Sequence, residues 1–112
     1  MKIHKELTLE KWSKFSLLEQ LANVGMDIDR VIRAKNQGDL DYSNKTFERA
    51  LELLDLTIAD SKNSGHRLRE LGRVREALKD YFWGDNEYNS TDEQWYNYFY
   101  NFNYAAALAK GK

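Results

Sequence analysis

Glu48, Glu52 and Asp55 follow one another at spacings of four and three, so on a helix they share one side, and Glu19, Asn23 and Asp27 form a similar row upstream. Facing rows of this kind are how helical proteins hold divalent metals that polarise a phosphoryl oxygen or activate a water. Glu19, Glu48, Glu52 and Asp55 are therefore the candidate metal ligands, and a divalent-metal nucleotide hydrolase is one reading of the chain. Histidine adds nothing to it, because His4 and His66 are the only two and no Glu-x-x-His pair exists for a di-iron centre. The competing reading pairs these carboxylates with Arg49, Arg30 and Arg33 on helix surfaces.

A basic cluster is the second candidate. His66, Arg67, Arg69, Arg73, Arg75 and Lys79 fall within a few helical turns, and Arg69 and Arg73 stand one turn apart on the same face. With Arg67 they could grip phosphates, which makes Arg67, Arg69 and Arg73 the candidate phosphate-binding residues of an RNA-associated protein. Glu70, Glu76 and Asp80 are interleaved with them and neutralise much of that field.

The third candidate is aromatic. In the run Trp95-Tyr96-Asn97-Tyr98-Phe99-Tyr100-Asn101-Phe102-Asn103-Tyr104, helical spacing puts Trp95, Phe99, Phe102, Ala106 and Ala109 on an inward stripe. Tyr96, Tyr100 and Tyr104 then recur every four residues as a second row on an adjacent face. Two aromatic rows exceed what one small bundle core accommodates, so Tyr96, Tyr100 and Tyr104 are expected to form an interface for a second copy or another protein. Tyrosine suits that role because it tolerates both water and burial. His66, by contrast, has only Ser61, Ser64 and Asp60 near it in sequence, on a loop expected to be mobile, and no catalytic residue is nominated. The glycines form no phosphate loop or dinucleotide fingerprint, and no cofactor is expected.

These side chains must be positioned by a single domain. The chain has 112 residues, 42% hydrophobic and 31% charged, with no proline and no cysteine, which leaves room for one core and no disulfide framework or thiolate chemistry. Seventeen basic against eighteen acidic residues give a formal charge of −1, so any charge-driven binding must be local. The apolar runs are too short for a membrane span, and Met1 to Lys11 lacks the apolar stretch of a signal peptide. The expected address is the cytoplasm.

Glycine-poor, proline-free sequence rich in Leu, Ala, Glu, Lys and Arg predicts helix nearly throughout. Ser16 and Glu19 have capping-box spacing, and Gly38 supplies a left-handed stop. Asp39, Asp41 or Ser43 caps the next helix, which is expected to be the most buried, and the polar stretch Asp60 to Gly65 reads as the central loop. A third helix ends before Gly84, and Ser90 with Glu93 repeats the box ahead of the last. The result is an all-α, antiparallel up-down four-helix bundle with helices at about 17–37, 41–60, 66–83 and 91–109. The arm over residues 1–15 carries a short turn capped by Thr8, whose Trp12 and Phe15 fold back as a lid.

Two family resemblances attach to particular residues. Glu52 and Asp55 match the Glu-x-x-Asp half of the magnesium motif of all-α nucleoside triphosphate pyrophosphatases, but its Glu-x-x-Glu half is missing, since Ala22 stands three after Glu19. The segment Gly38-Asp39-Leu40-Asp41-Tyr42 through Phe47-Glu48-Arg49-Ala50-Leu51-Glu52-Leu53-Leu54 resembles the second helix of HEPN-type domains, small prokaryotic bundles. That resemblance covers about a quarter of the chain and implies the bundle, dimerisation and a nucleotidyltransferase partner. It does not carry the ribonuclease motif, because no arginine here is followed by a histidine at the required spacing and His66-Arg67 has the order reversed. Stretches such as Phe15 to Asn23 and Gly84 to Tyr88 are similar to small prokaryotic proteins without a known activity. The leading expectation is a non-enzymatic interaction module that self-associates through its last helix.

Overall fold

A computed structural model describes residues 8–110; His4 lies outside them. Five helices follow in order: α1 (Leu9–Trp12), α2 (Leu17–Asn36), α3 (Leu40–Ala59), α4 (His66–Trp83) and α5 (Asp92–Lys110). The protein is all-α, with the four long helices bundled around one core and no strand among the described residues.

Local chemistry sets most helix starts. The Ser16 hydroxyl accepts from the Glu19 amide at 3.1 Å while the Glu19 carboxylate accepts from the Ser16 amide at 3.0 Å, so the box opens α2 as its spacing predicts. Gly38, at φ +83°, makes the left-handed turn out of α2. Of the three candidate caps that follow, Asp39 is used, its carboxylate accepting from the Tyr42 amide. The last helix departs from expectation by one residue. Ser90 is held in the preceding loop by both arms of the Asn86 amide, and the box forms instead between Thr91 and Gln94, at 3.0 and 3.1 Å.

Several contacts between helices pair the end of one with the start of another. Ser43 near the start of α3 donates to the Val31 carbonyl late in α2, and Phe47 meets Phe82 and Trp83 at the end of α4. Lys35 at the end of α2 donates to Asp92 at the start of α5 at 2.9 Å. The expectation that the second long helix is the most buried needs correction. α2 is the most enclosed, because α3 covers one side and α5 another, and Leu21, Val24, Ile28, Val31 and Ile32 are sealed between them. Gly25 permits that closeness: a Cβ there would stand 2.7 Å from the Phe99 Cβ.

From Thr8 onward the arm is a folded part of the domain. Thr8 caps α1 through the Lys11 amide, and Trp12 is buried, its indole N–H donating to the Thr57 hydroxyl at 2.9 Å. Phe15, expected to share the lid, stays 39% exposed. Around Trp12 runs a polar network that the sequence did not reveal. The Gln20 amide donates to the Trp12 carbonyl and the Asp60 carboxylate, and the Asn63 amide donates to Gln20 and to the Thr57 carbonyl. Lys62 donates to the Asp60 carboxylate and the Ser13 carbonyl. The loop expected to be mobile is therefore anchored, because buried Asp60 and Asn63 need these partners.

Candidate functional site

α5 divides its rings between two faces. Trp95, Phe99 and Ala106 are buried and Phe102 packs against the core, as the inward stripe predicts. Ala109 is exposed instead, since the last turn extends beyond the core it would have to meet. Tyr98 also belongs to the inner side: it is half-buried and its hydroxyl donates to the Glu70 carboxylate at 2.7 Å, tying α5 to α4. The remaining row is outward. Tyr96, Tyr100 and Tyr104 are 37, 62 and 58% exposed, and the last two stack with ring centroids 6.3 Å apart and planes 14° from parallel.

Two exposed apolar side chains, Met26 on α2 and Leu108 on α5, add to this surface. A cleft of about 340 Å³ runs between α2 and α5, lined by Gly25, Met26, Asp29, Tyr96, Phe99 and Tyr100. From Gln94 to Ala109 the helix carries no charged side chain, although 31% of the chain is charged. The outer face of α5 is thus a strip of phenols and amides.

The arginine cluster lies on the exposed side of α4, but not as a free patch. Arg67 is spent on Glu70 at 3.1 Å, and Arg69 Nη2 lies 3.3 Å from His66 Nδ1. Arg73 is exposed and forms no ion pair among the described residues. Arg75 binds Asp55 on α3 through two contacts, at 2.6 and 3.3 Å. Of the candidate phosphate-binding residues, Arg67 is thus partly neutralised by a neighbouring carboxylate, in an exposed pair.

The candidate metal ligands are not brought together. Among the described residues no three His, Cys, Asp or Glu side chains form a metal-holding group. Glu19 serves the α2 cap, Asp55 is held by Arg75 and Glu48 points to solvent. What faces the acidic row of α2 is a cation from α3: the Arg49 guanidinium binds Asp27 at 3.1 Å, beside Arg30 at 2.8 Å. Sequence reasoning counted these groups as surface charges, whereas Asp27 is only 4% exposed. The pairing with Arg30 and Arg49 is the competing reading of the sequence, and the Asp27–Arg30 spacing of three is its visible signal; the burial of Asp27 had none.

No family model, curated protein or solved structure matches this chain. The likeness to HEPN-type domains therefore stays an expectation. Nor is any helix among the described residues long and apolar enough to cross a membrane.

Ionisable groups tie the bundle to pH. Burial, and then the Glu70 carboxylate that accepts its proton, hold the Tyr98 phenol protonated well above its usual range. Burial and the Asp92 carboxylate likewise push Tyr81 up, while burial and nearby Asp29 raise Tyr96. Lys35 is also raised: burial works against its charge, but Asp92 and Tyr81 outweigh it. A raised folded-state pKa gives stability that is complete below the unfolded value and lost as pH climbs through the folded one. The melting temperature should therefore fall above about pH 10, where unfolded phenols ionise, and Tyr98→Phe should flatten that fall. Melting curves between pH 8 and 11 would show an unchanged slope in the variant if Tyr98 were not responsible. At the acid end Asp60 and Asp92 act oppositely. Burial raises both, but hydrogen bonds from Lys62 and Gln20 to Asp60, and from Tyr81 and Lys35 to Asp92, prevail and hold them low. Their stabilisation is present above the ordinary carboxylate range and lost as pH falls through the folded values.

Proposed function

We propose that this protein is a non-enzymatic helical interaction module that self-associates through α5. The observation that carries the reading is the uncharged outer strip with its three exposed tyrosines. In a two-fold dimer each patch meets its own copy, so a patch of one charge sign would repel itself. Phenols and amides incur no such repulsion, and their hydrogen-bonding groups can pair across the axis.

Area sets the strength. At about 150–250 Å² for a fully buried ring, the exposed fractions amount to roughly 250–400 Å² per protomer. A stable interface takes about 800 Å² per partner, so Met26, Leu108 and the exposed asparagines Asn97, Asn101 and Asn103 must contribute. The dimer is therefore concentration-dependent. Sedimentation of the wild type beside Tyr100→Glu tests it. A wild-type dimer that becomes a monomer in the variant, with helicity unchanged, is the expected result, because two carboxylates near the axis would repel. Two monomers, or two dimers, would overturn the reading.

A further inference from the structure

Another cleft lies between α2 and α3, on the other side of Met26 from the tyrosine strip, and has a volume of about 490 Å³. That size falls within the range of small-molecule sites. Its two ends differ in chemistry. At one end the Arg30 and Arg49 guanidiniums converge on Asp27: Arg30 Nη1 lies 2.8 Å from Oδ1, while Arg49 Nη2 and Nε lie 3.1 and 3.3 Å from Oδ1 and Oδ2. Two cations share one buried anion, so this end carries a net positive charge. Each guanidinium has five N–H donors, and most of these remain uncommitted to Asp27. Both arginine side chains are partly exposed, at 38 and 33%.

The other end is aromatic. Trp12 and Phe15 line it with ring centroids 5.5 Å apart, and Leu53 supplies an apolar wall. Along α2 the distance from Asn23, beside the aromatic end, to Arg30 is seven residues, or about 10 Å at the helical rise. An occupant that satisfies both ends must carry a ring and an anionic group joined by a short chain. A bare anion would leave the aromatic end empty, and a hydrocarbon would leave the guanidinium donors without an acceptor. The excess of one positive charge matches a monovalent acid better than a phosphate dianion, and the planar guanidinium fork suits a carboxylate.

We propose that the α2–α3 cleft binds an aryl-alkyl carboxylate, with its acid group on Arg30 and Arg49 and its ring against Trp12 and Phe15. Asp27 is the positioning residue. Its carboxylate holds the two guanidiniums side by side, so that their free edges meet the incoming acid. Met26 lines both this cleft and the one beside the tyrosine strip, but the acid and ring contacts proposed here use neither Met26 nor any tyrosine, and the proposal does not depend on self-association.

Calorimetric titration of the full chain with 3-phenylpropionate, 3-phenylpropionamide and acetate tests it. Using the Tyr100→Glu background alongside the wild type keeps any dimerisation out of the heat. The acid should bind, and the amide and acetate should bind about tenfold or more weakly, since each lacks one half of the recognition. Arg30→Gln and Arg49→Gln should each weaken the acid by about tenfold or more. Phe15→Ala should weaken it while leaving acetate unchanged. If Arg49→Gln fails to fold, Arg30→Gln still decides the matter, because it leaves the Arg49–Asp27 tie between α2 and α3 in place. A short peptide ending in phenylalanine offers the same ring and acid, and its ranking against the free acid tells a chain end from a small metabolite. No heat with either acid, equal binding of acid and amide, or full affinity in Arg30→Gln would overturn the proposal.

Discussion

Trp12→Ala should lower the unfolding free energy by about 3–5 kcal/mol, measured by urea denaturation. The side chain is 3% exposed and sits on a helix of four residues, far too short to persist by itself. Its indole anchors α1 to the Thr57 hydroxyl on α3, and its carbonyl takes the Gln20 amide from α2. Removing the ring opens a cavity at the end of the core and frees the arm that covers the polar network. Trp12→Phe separates the two contributions. It keeps most of the apolar volume but removes the N–H and part of the ring, so it should cost about 1–2 kcal/mol, well short of the full truncation. A loss below about 1 kcal/mol in Trp12→Ala would show that the arm adds nothing to the fold.

Gly25→Ala and Gly72→Ala should change stability in opposite directions. Both glycines lie inside helices, where replacement by alanine is ordinarily worth about 1 kcal/mol in favour of the helix. At Gly72 no atom stands within 4 Å of the new methyl group, so that gain should be realised. At Gly25 the methyl would meet Phe99 at 2.7, 3.0 and 3.1 Å, and the nearest of these atoms is the Phe99 Cβ, which cannot swing aside. α2 and α5 would have to move apart, at an overpacking cost of about 1–3 kcal/mol that outweighs the helical gain. Paired denaturation curves read both signs. Stabilisation of Gly25→Ala would mean that the two helices are not held at this distance in solution.

Much of the architecture was legible from punctuation. Ser16 with Glu19 acts through a neighbour three residues away, and Gly38 and Gly65 mark helix ends by their left-handed backbone, so local sequence alone exposes them. Ser90 with Glu93 and Thr91 with Gln94 offer equivalent local spacing. The choice fell to Thr91 because the Asn86 side chain already occupies Ser90. The outward row of tyrosines was readable from a period of four. Tyr98 was not assigned, because its place depends on Glu70, 28 residues away. For the acidic residues on α2 and α3 the spacing left two readings, facing carboxylates or pairing with arginines, and Asp27 follows the second, bound by Arg30 and Arg49.

By itself the sequence determined the helical class, the approximate bounds of the four long helices and the surplus of rings on the last one. Propensity, capping and periodicity are interactions within a few turns, and they are written directly in residue order. Only the tertiary structure decided that α2 is the central helix, that Gly25 admits Phe99, that Gln20, Asp60 and Asn63 close a buried network, and that Arg30 and Arg49 share Asp27. Those outcomes depend on how helices rotate and approach one another. That is fixed by packing summed over the whole core, which no local spacing encodes.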